Sequence, residues 1–262
     1  MKVSALTILS IFFLKISIFA QQKESLPAII NYLGIGIGYN FDNIKDSNFS
    51  PLNQKGTALY YSIFYEQHSK NILKINAKYG DGTLNSGRLN KLKTSYYKAN
   101  IGIAYLKNIF TKQQSTNFYI GGSYSIDILY MDWYNQDAFS YFSTNGLSIS
   151  AAISKQFTAK QYIESTISIP VIQFLSRPPY NGLDEYIIEN QNEPLKIIFN
   201  GKLASFKEYK SINWNINYKH EISNHFNLKI DYDLNIKSAK STHTFTSFSN
   251  RISTSVLYKF PI

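Results

Sequence analysis

Leu228-Lys229-Ile230-Asp231-Tyr232-Asp233-Leu234-Asn235-Ile236-Lys237 is the stretch that decides the fold. Every even position is apolar and every odd one is charged or an amide. Successive side chains of a strand leave on opposite faces, so this segment has one apolar and one charged face. The pattern recurs outward from it. Leu33, Ile35, Ile37, Tyr39 and Phe41 alternate with Gly34, Gly36, Gly38 and Asn40, and Ile212, Trp214, Ile216 and Tyr218 alternate with Asn213, Asn215, Asn217 and Lys219. Leu147–Ile153 and Ile252–Phe260 behave alike. Helical spacing is scarce.

With the weaker segments added, ten strands are predicted, at 30–42, 57–68, 71–81, 92–107, 116–131, 141–156, 161–176, 207–221, 226–238 and 244–260. Such strands are long against the five or six residues usual in globular proteins. They suit tilted spans that need about 9–11 residues to cross a bilayer. Short connections at Ser69-Lys70, 108–115, 157–160 and 222–225 alternate with longer ones at 43–56, 82–91, 132–140, 177–206 and 239–243. That asymmetry is the up-and-down membrane-barrel pattern, with both termini at the short-turn end. Asn200-Gly201, between Lys196–Phe199 and Lys202–Phe206, reads as a hairpin turn beyond the membrane. If those flanks span instead, the count becomes twelve.

Composition narrows the class. The chain has 262 residues, 27 Lys+Arg against 17 Asp+Glu, and no Cys. Disulfide frameworks, thiol nucleophiles and Cys-based metal sites are therefore excluded. With 44% hydrophobic and 16% aromatic residues the chain is not a disordered one. Residues 1–20 read as a secretory signal, with Lys2 as basic start, Val3–Phe19 largely apolar and Ala20 before the cut. Residues 21–262 are then the barrel domain, and loss of Lys2 and Lys15 lowers the charge to 25 − 17 = +8.

The signal, the alternation across most of 30–260 and the final strand, Val256-Leu257-Tyr258-Lys259-Phe260, resemble the outer-membrane β-barrel proteins of Gram-negative bacteria. Val256, Tyr258 and Phe260 are similar to the terminal signal by which the barrel-assembly machinery recognises its clients, although Pro261-Ile262 follow here. The resemblance implies an exported, outer-membrane chain in contact with lipid and lipopolysaccharide. Physical chemistry agrees: lipid cannot hydrogen-bond a backbone, so strands in a bilayer must close. The competing architecture is a secreted β-sandwich whose apolar faces form a core.

On the barrel reading Lys74, Lys78, Lys98, Lys219, Lys229, Lys237 and Arg251 point inward, opposed by Asp127, Glu164, Asp231 and Asp233. They form either a polar conduit with mild anion preference or a salt-bridged plug, since a ten-stranded barrel is narrow. Inward Gly34, Gly36 and Gly38 leave room for bulky neighbours such as Tyr60, Phe64 or Tyr119. Tyr65, Tyr162, Tyr218, Tyr258 and Phe260 are expected in the periplasmic aromatic girdle. Tyr39, Phe41, Tyr79, Tyr130, Trp133 and Tyr134 are expected in the outer one. Loop cations Arg88, Lys91, Lys93, Lys202 and Lys207 offer charge to lipopolysaccharide phosphates.

No catalytic constellation is expected. The outer rim carries Asp132, Asp137, Asp184 and Glu185 with only His243, which lacks the Asp-His arrangement of outer-membrane proteases. His68, His220 and His225 fall near periplasmic turns, and the His-x-Ser spacing of outer-membrane lipid hydrolases is absent. No phosphate loop, metal cluster or cofactor motif has credible spacing, and scattered cations give no nucleic-acid platform. The sequence therefore predicts an all-β, monomeric, ten-stranded antiparallel barrel. A narrow small-solute pore ranks first among its roles, and a surface-binding barrel using loop 177–206 second.

Overall fold

The computed structural model describes residues 29–86, 92–110, 115–133, 139–177, 185, 189–190, 193–240 and 243–261. The signal segment, Arg88, Lys91, Tyr134, Asp137 and Asp184 lie outside these residues. The described strands are β1 (Ile30–Asp46), β2 (Gln54–His68), β3 (Ile72–Ser86), β4 (Leu92–Asn108), β5 (Thr116–Trp133), β6 (Phe139–Thr158) and β7 (Gln161–Ser176). A short helix α1 (Pro194–Phe199) follows, then β8 (Lys202–Ala204), β9 (Tyr209–Glu221), β10 (Phe226–Lys240) and β11 (Thr244–Pro261).

Each long strand pairs antiparallel with its sequence neighbour, and β1 pairs with β11 from Ile30↔Pro261 to Asp46↔Phe245. The β6–β7 pairing completes the ring, so ten long strands form a closed up-and-down barrel. Closure removes every sheet edge, which is what allows strands to stand in lipid. The apolar faces point outward: Leu33, Ile35, Ile37, Tyr39 and Phe41 are exposed in succession along β1, Ile35 by 67%. A water-soluble sandwich buries such a row, whereas here the buried residues include Asn40, Asp42, Glu66, Glu164, Asn217 and Lys219. Apolar outside and polar inside is the inverse of a sandwich core.

The strands extend further at the outer end than alternation indicates. Residues 43–46 and 54–56 of the loop expected at 43–56, and 82–86 of that expected at 82–91, are strand, and Asp42–Asp46 stay in register with Phe245–Ser249. Backbone pairing continues there although the outward apolar row has ended.

Asn200-Gly201 does not turn a hairpin. Pro194, with its preset φ, opens α1 at N1/N2, and the Asn200 amide donates to the Lys196 carbonyl at 3.0 Å, so the dipeptide ends a helix. β8 then pairs with β7, not with Lys196–Phe199. β8 and β9 are two parts of one wall strand, interrupted by a turn at Ser205–Glu208 in which the Glu208 and Tyr209 amides donate to the Ser205 carbonyl. The β7 ladder passes from Ser168↔Asn213 on β9 to Gln173↔Ala204 on β8, leaving Ile169–Ile172 without a partner on that side. Pro170 lies in this gap, where a missing N–H costs no ladder bond. On the other side the register slips as Ser148 pairs Pro170 and Leu147 pairs Ile172, a bulge at Val171.

Helix α1 leans on the outside of the wall. Asn145, at an outward position of β6, donates to the Ile198 carbonyl at 2.8 Å, and Ile197, Ile198, Tyr141 and Ser143 are buried. This is why Ser140–Gly146 is buried on both faces.

Candidate functional site

Inward side chains are set by strand parity, and the lumen they fill is layered. At the end that carries Ile30 and Pro261, Glu66 is the hub. Lys219 pairs with one of its oxygens, Lys229 reaches the other at 2.8 Å, and His68 Nε2 is 3.1 Å away. The Lys219 ammonium also sits 5.0 Å above the Tyr32 ring, and Lys229 sits 4.2 Å from the centre of Phe64. Beside this hub Lys74 pairs with Glu164, which also accepts from Tyr162 Oη at 2.9 Å, Thr166 Oγ1 at 3.2 Å and Asn217 Nδ2 at 3.3 Å. A rim pair, Lys259–Glu221 at 2.9 Å, lies below.

At mid-height Arg251 pairs with Asp233, whose second oxygen accepts from Asn215 at 3.0 Å, and Lys229 lies 3.1 Å from Asp231. The Arg251 guanidinium stacks 4.2 Å over Tyr60. Higher up, Lys237 reaches Asp127 at 3.4 Å and Lys98 pairs with Asp42. Tyr96 Oη adds a 2.7 Å bond to Asp42. Charges taken out of water are tolerated here because each carboxylate has a cation, and Glu66, Glu164, Asp233, Asp127 and Asp42 have further hydrogen-bonding partners as well.

Polar chambers remain between these side chains among the described residues. One of 190 Å³ is lined by Lys78, Asp231, Asp233, Arg251, Asn76 and Ser253 among others. A second of 100 Å³ lies above it and shares Lys78, Asn100, Asp127, Asp233 and Arg251, so the two are contiguous. Phe142 and Phe245 line the upper chamber, stacked with centroids 4.0 Å apart. They belong to an apolar layer that includes Ile44, Leu84, Tyr96, Leu129 and Met131 and crosses the outer mouth. Above that layer Arg177 pairs with Asp46 and donates to the His243 carbonyl.

All eleven lumenal candidates therefore point inward: Lys74, Lys78, Lys98, Asp127, Glu164, Lys219, Lys229, Asp231, Asp233, Lys237 and Arg251. Ten have an opposite charge within ion-pair distance; among the described residues Lys78 has none. Glu66, Asp42, Asp46 and Arg177 complete the network and were not singled out in the sequence. Asp42 was legible, being in phase with Gly34, Gly36, Gly38 and Asn40. Glu66 was legible in the same way, being in phase with Tyr60 and Phe64, which the sequence reading sets toward the lumen.

Two aromatic expectations are corrected. Tyr162 is no girdle residue: it shares the parity of Glu164 and donates to it inside the lumen. Trp133 shares the parity of Leu129 and Met131 and packs against Phe49 within the apolar layer, at 4.5 Å. Of the room-making glycines, Gly34 admits Phe64, since a Cβ there would lie 2.6 Å from Phe64 Cε2, while Tyr60 lies over Gly80 instead. On β11, Val256 and Tyr258 are exposed outward, and Tyr258 stacks on Phe260 at 6.0 Å. Among the described residues no group of three or more His, Asp or Glu is placed to hold a metal ion.

No protein-family profile matches the chain, and no curated sequence does. Solved structures do. The outer membrane protease OmpT from Escherichia coli superposes with a TM-score of 0.51 at 8% identity, over 91% of this chain and 99% of that one. The transport unit of the autotransporter AIDA-I from Escherichia coli gives 0.46 at 11% identity, over 97% of both chains. Neisserial surface protein A gives 0.37 at 12% identity, over 87% of this chain and 97% of that one. The closed, polar-filled barrel and the superposition on OmpT lead to one statement: this chain has the fold of the Gram-negative outer-membrane β-barrels.

Proposed function

We propose that the protein is a narrow conduit for small polar solutes across the outer membrane, closed at rest by the apolar layer at its outer mouth. The observation that carries this reading is the pair of contiguous polar chambers running up to the Phe142–Phe245 stack. A solid plug has no need of them. Hydrophobic constrictions close pores by excluding water, and displacement of two stacked rings opens such a layer. In planar bilayers, wild-type protein is expected to give rare, small conductance steps. The Phe142→Ala–Phe245→Ala variant is expected to open often and with larger steps. A variant as silent as wild type, yet folded, removes the conduit.

A second reading, a surface-binding barrel, is favoured by the outer segment. Phe199, Leu203 and Phe206 are 57–63% exposed beside α1 and β8, with exposed Lys202 and Lys207 between and next to them. That combination suits lipopolysaccharide, apolar chains below and phosphates at the cations. In biogenesis, the outward row Val256, Tyr258 and Phe260 is the surface we assign to the barrel-assembly machinery.

A further inference from the structure

The lumenal charges pair off with one cation to spare. Inward carboxylates are Asp42, Asp46, Glu66, Asp127, Glu164, Glu221, Asp231 and Asp233, and each is engaged by one or more of Lys74, Lys98, Arg177, Lys219, Lys229, Lys237, Arg251 and Lys259. Among the described residues Lys78 is the inward cation within ion-pair distance of no carboxylate. It borders both chambers, at the level where they join, and its strand register sets it between Ser62 on β2 and Asn100 on β4. Across the same space stands Arg251. Its Nη2 is committed to Asp233, but its buried Nε–H has no partner in the protein.

From this we infer that the lumen is a binding site for one compact monovalent anion, a halide or a short-chain carboxylate, held between the Lys78 ammonium and the Arg251 Nε–H. Three features select that class. One uncompensated positive charge calls for one negative charge, because an enclosed ammonium without a counter-ion is strongly disfavoured. The two donor groups belong to β3 and β11 and approach from different walls, as a compact anion requires. The 190 Å³ chamber has room for a compact anion beside waters that bridge it to amide and hydroxyl groups of the lining such as Asn76 and Ser253. Carboxylates already engaged by Arg251, Lys229 and Lys237 leave no second free cation for a divalent anion.

The inference rests on the conduit reading only for the direction of traffic; the site itself does not need an open pore. Anomalous diffraction from crystals of the intact protein grown in sodium bromide tests it. A bromide peak in contact with Lys78 Nζ is expected in wild type, reduced by sodium acetate and absent in Lys78→Met. If Lys78→Met does not fold, Lys78→Gln serves, and the acetate competition in wild type stands on its own. No peak at Lys78 in wild type overturns the site. Bilayer recordings of wild type and Lys78→Met in a KCl gradient separate the two readings. Loss of the charge should shift the anion-to-cation permeability ratio about 30-fold towards cations, because one unit charge at an effective dielectric of about 20 and roughly 16 Å favours an anion about six-fold and disfavours a cation by the same factor. Bromide bound without conductance leaves the site standing and ends the conduit. Conductance with an unchanged ratio and no bromide ends the site and leaves the conduit.

Discussion

Glu164 provides the sharpest test of the lumenal network. Its side chain is fully buried, and four donors from three strands converge on it: Lys74 from β3, Tyr162 and Thr166 from β7, and Asn217 from β9. Glu164→Ala leaves Lys74 enclosed without its partner, and Lys74 is only 17% exposed. Breaking a buried pair from one side costs about 3–5 kcal/mol, and the slight solvent access of Lys74 places the loss near the lower end, about 3 kcal/mol. With a urea slope of about 2 kcal/mol/M, the unfolding midpoint falls by about 1.5 M. The assay is urea titration of protein folded into phospholipid bilayers, read by the electrophoretic mobility of the folded form. Lys74→Met–Glu164→Leu removes both charges and should fall within about 1 kcal/mol of wild type, because desolvation of the pair offsets much of its attraction. A Glu164→Ala variant within experimental error of wild type would refute the reasoning, since β3 and β7 would then not face each other across this lumen.

Other outcomes follow from single contacts. Gly34→Ala forces the Phe64 ring aside and should cost about 1–3 kcal/mol, recovered in Gly34→Ala–Phe64→Leu, by the same titration. The Ser205 amide and hydroxyl hold the Glu208 carboxyl below its usual range, by bonds of 2.8 and 3.0 Å. Its folded-state value is lowered, so the β8–β9 turn is secured above the ordinary carboxylate range and loosens as pH falls through the lowered value; the protection of the Ser205 amide, taken relative to its intrinsic exchange rate at each pH, should fall there and hold at neutral pH. Phe199→Ser–Leu203→Ser–Phe206→Ser should reduce lipopolysaccharide binding in a vesicle-flotation assay while the barrel stays folded. Deletion of the outer segment should stop before Lys202, because removing β8 strips Gln173–Leu175 of their partners.

Much of this architecture was readable from alternation. The β10 row Leu228–Lys237 fixes a strand, its two faces and the inward position of Lys229, Asp231, Asp233 and Lys237, and the structure bears its pairing out with β9 and β11. What escaped the sequence depends on register or on double use of a signal. Tyr162 and Trp133 are amphipathic enough for either face, and only parity relative to Glu164 and Met131 assigns them inward. Glu66 is inward by parity with Tyr60 and Phe64, but its partners Lys219 and Lys229 lie 153 and 163 residues away and only the closed barrel brings them to it. Asn200-Gly201 suits a hairpin turn and a helix end equally, and Pro194, six residues earlier, decides between them. The apolar layer at the mouth was hidden because its members sit inward, where alternation predicts polarity. Its composition makes sense once the outer end is seen to close.

The measurement that tests the central claim most directly is electrophoresis of unboiled and boiled protein recovered from the outer-membrane fraction. A closed barrel whose β1 and β11 strands are zipped along their length resists detergent until heated, so the unboiled sample should run as a separate, compact band that converts on boiling. Identical mobility before and after boiling, with the protein in the soluble periplasmic fraction, would contradict the barrel.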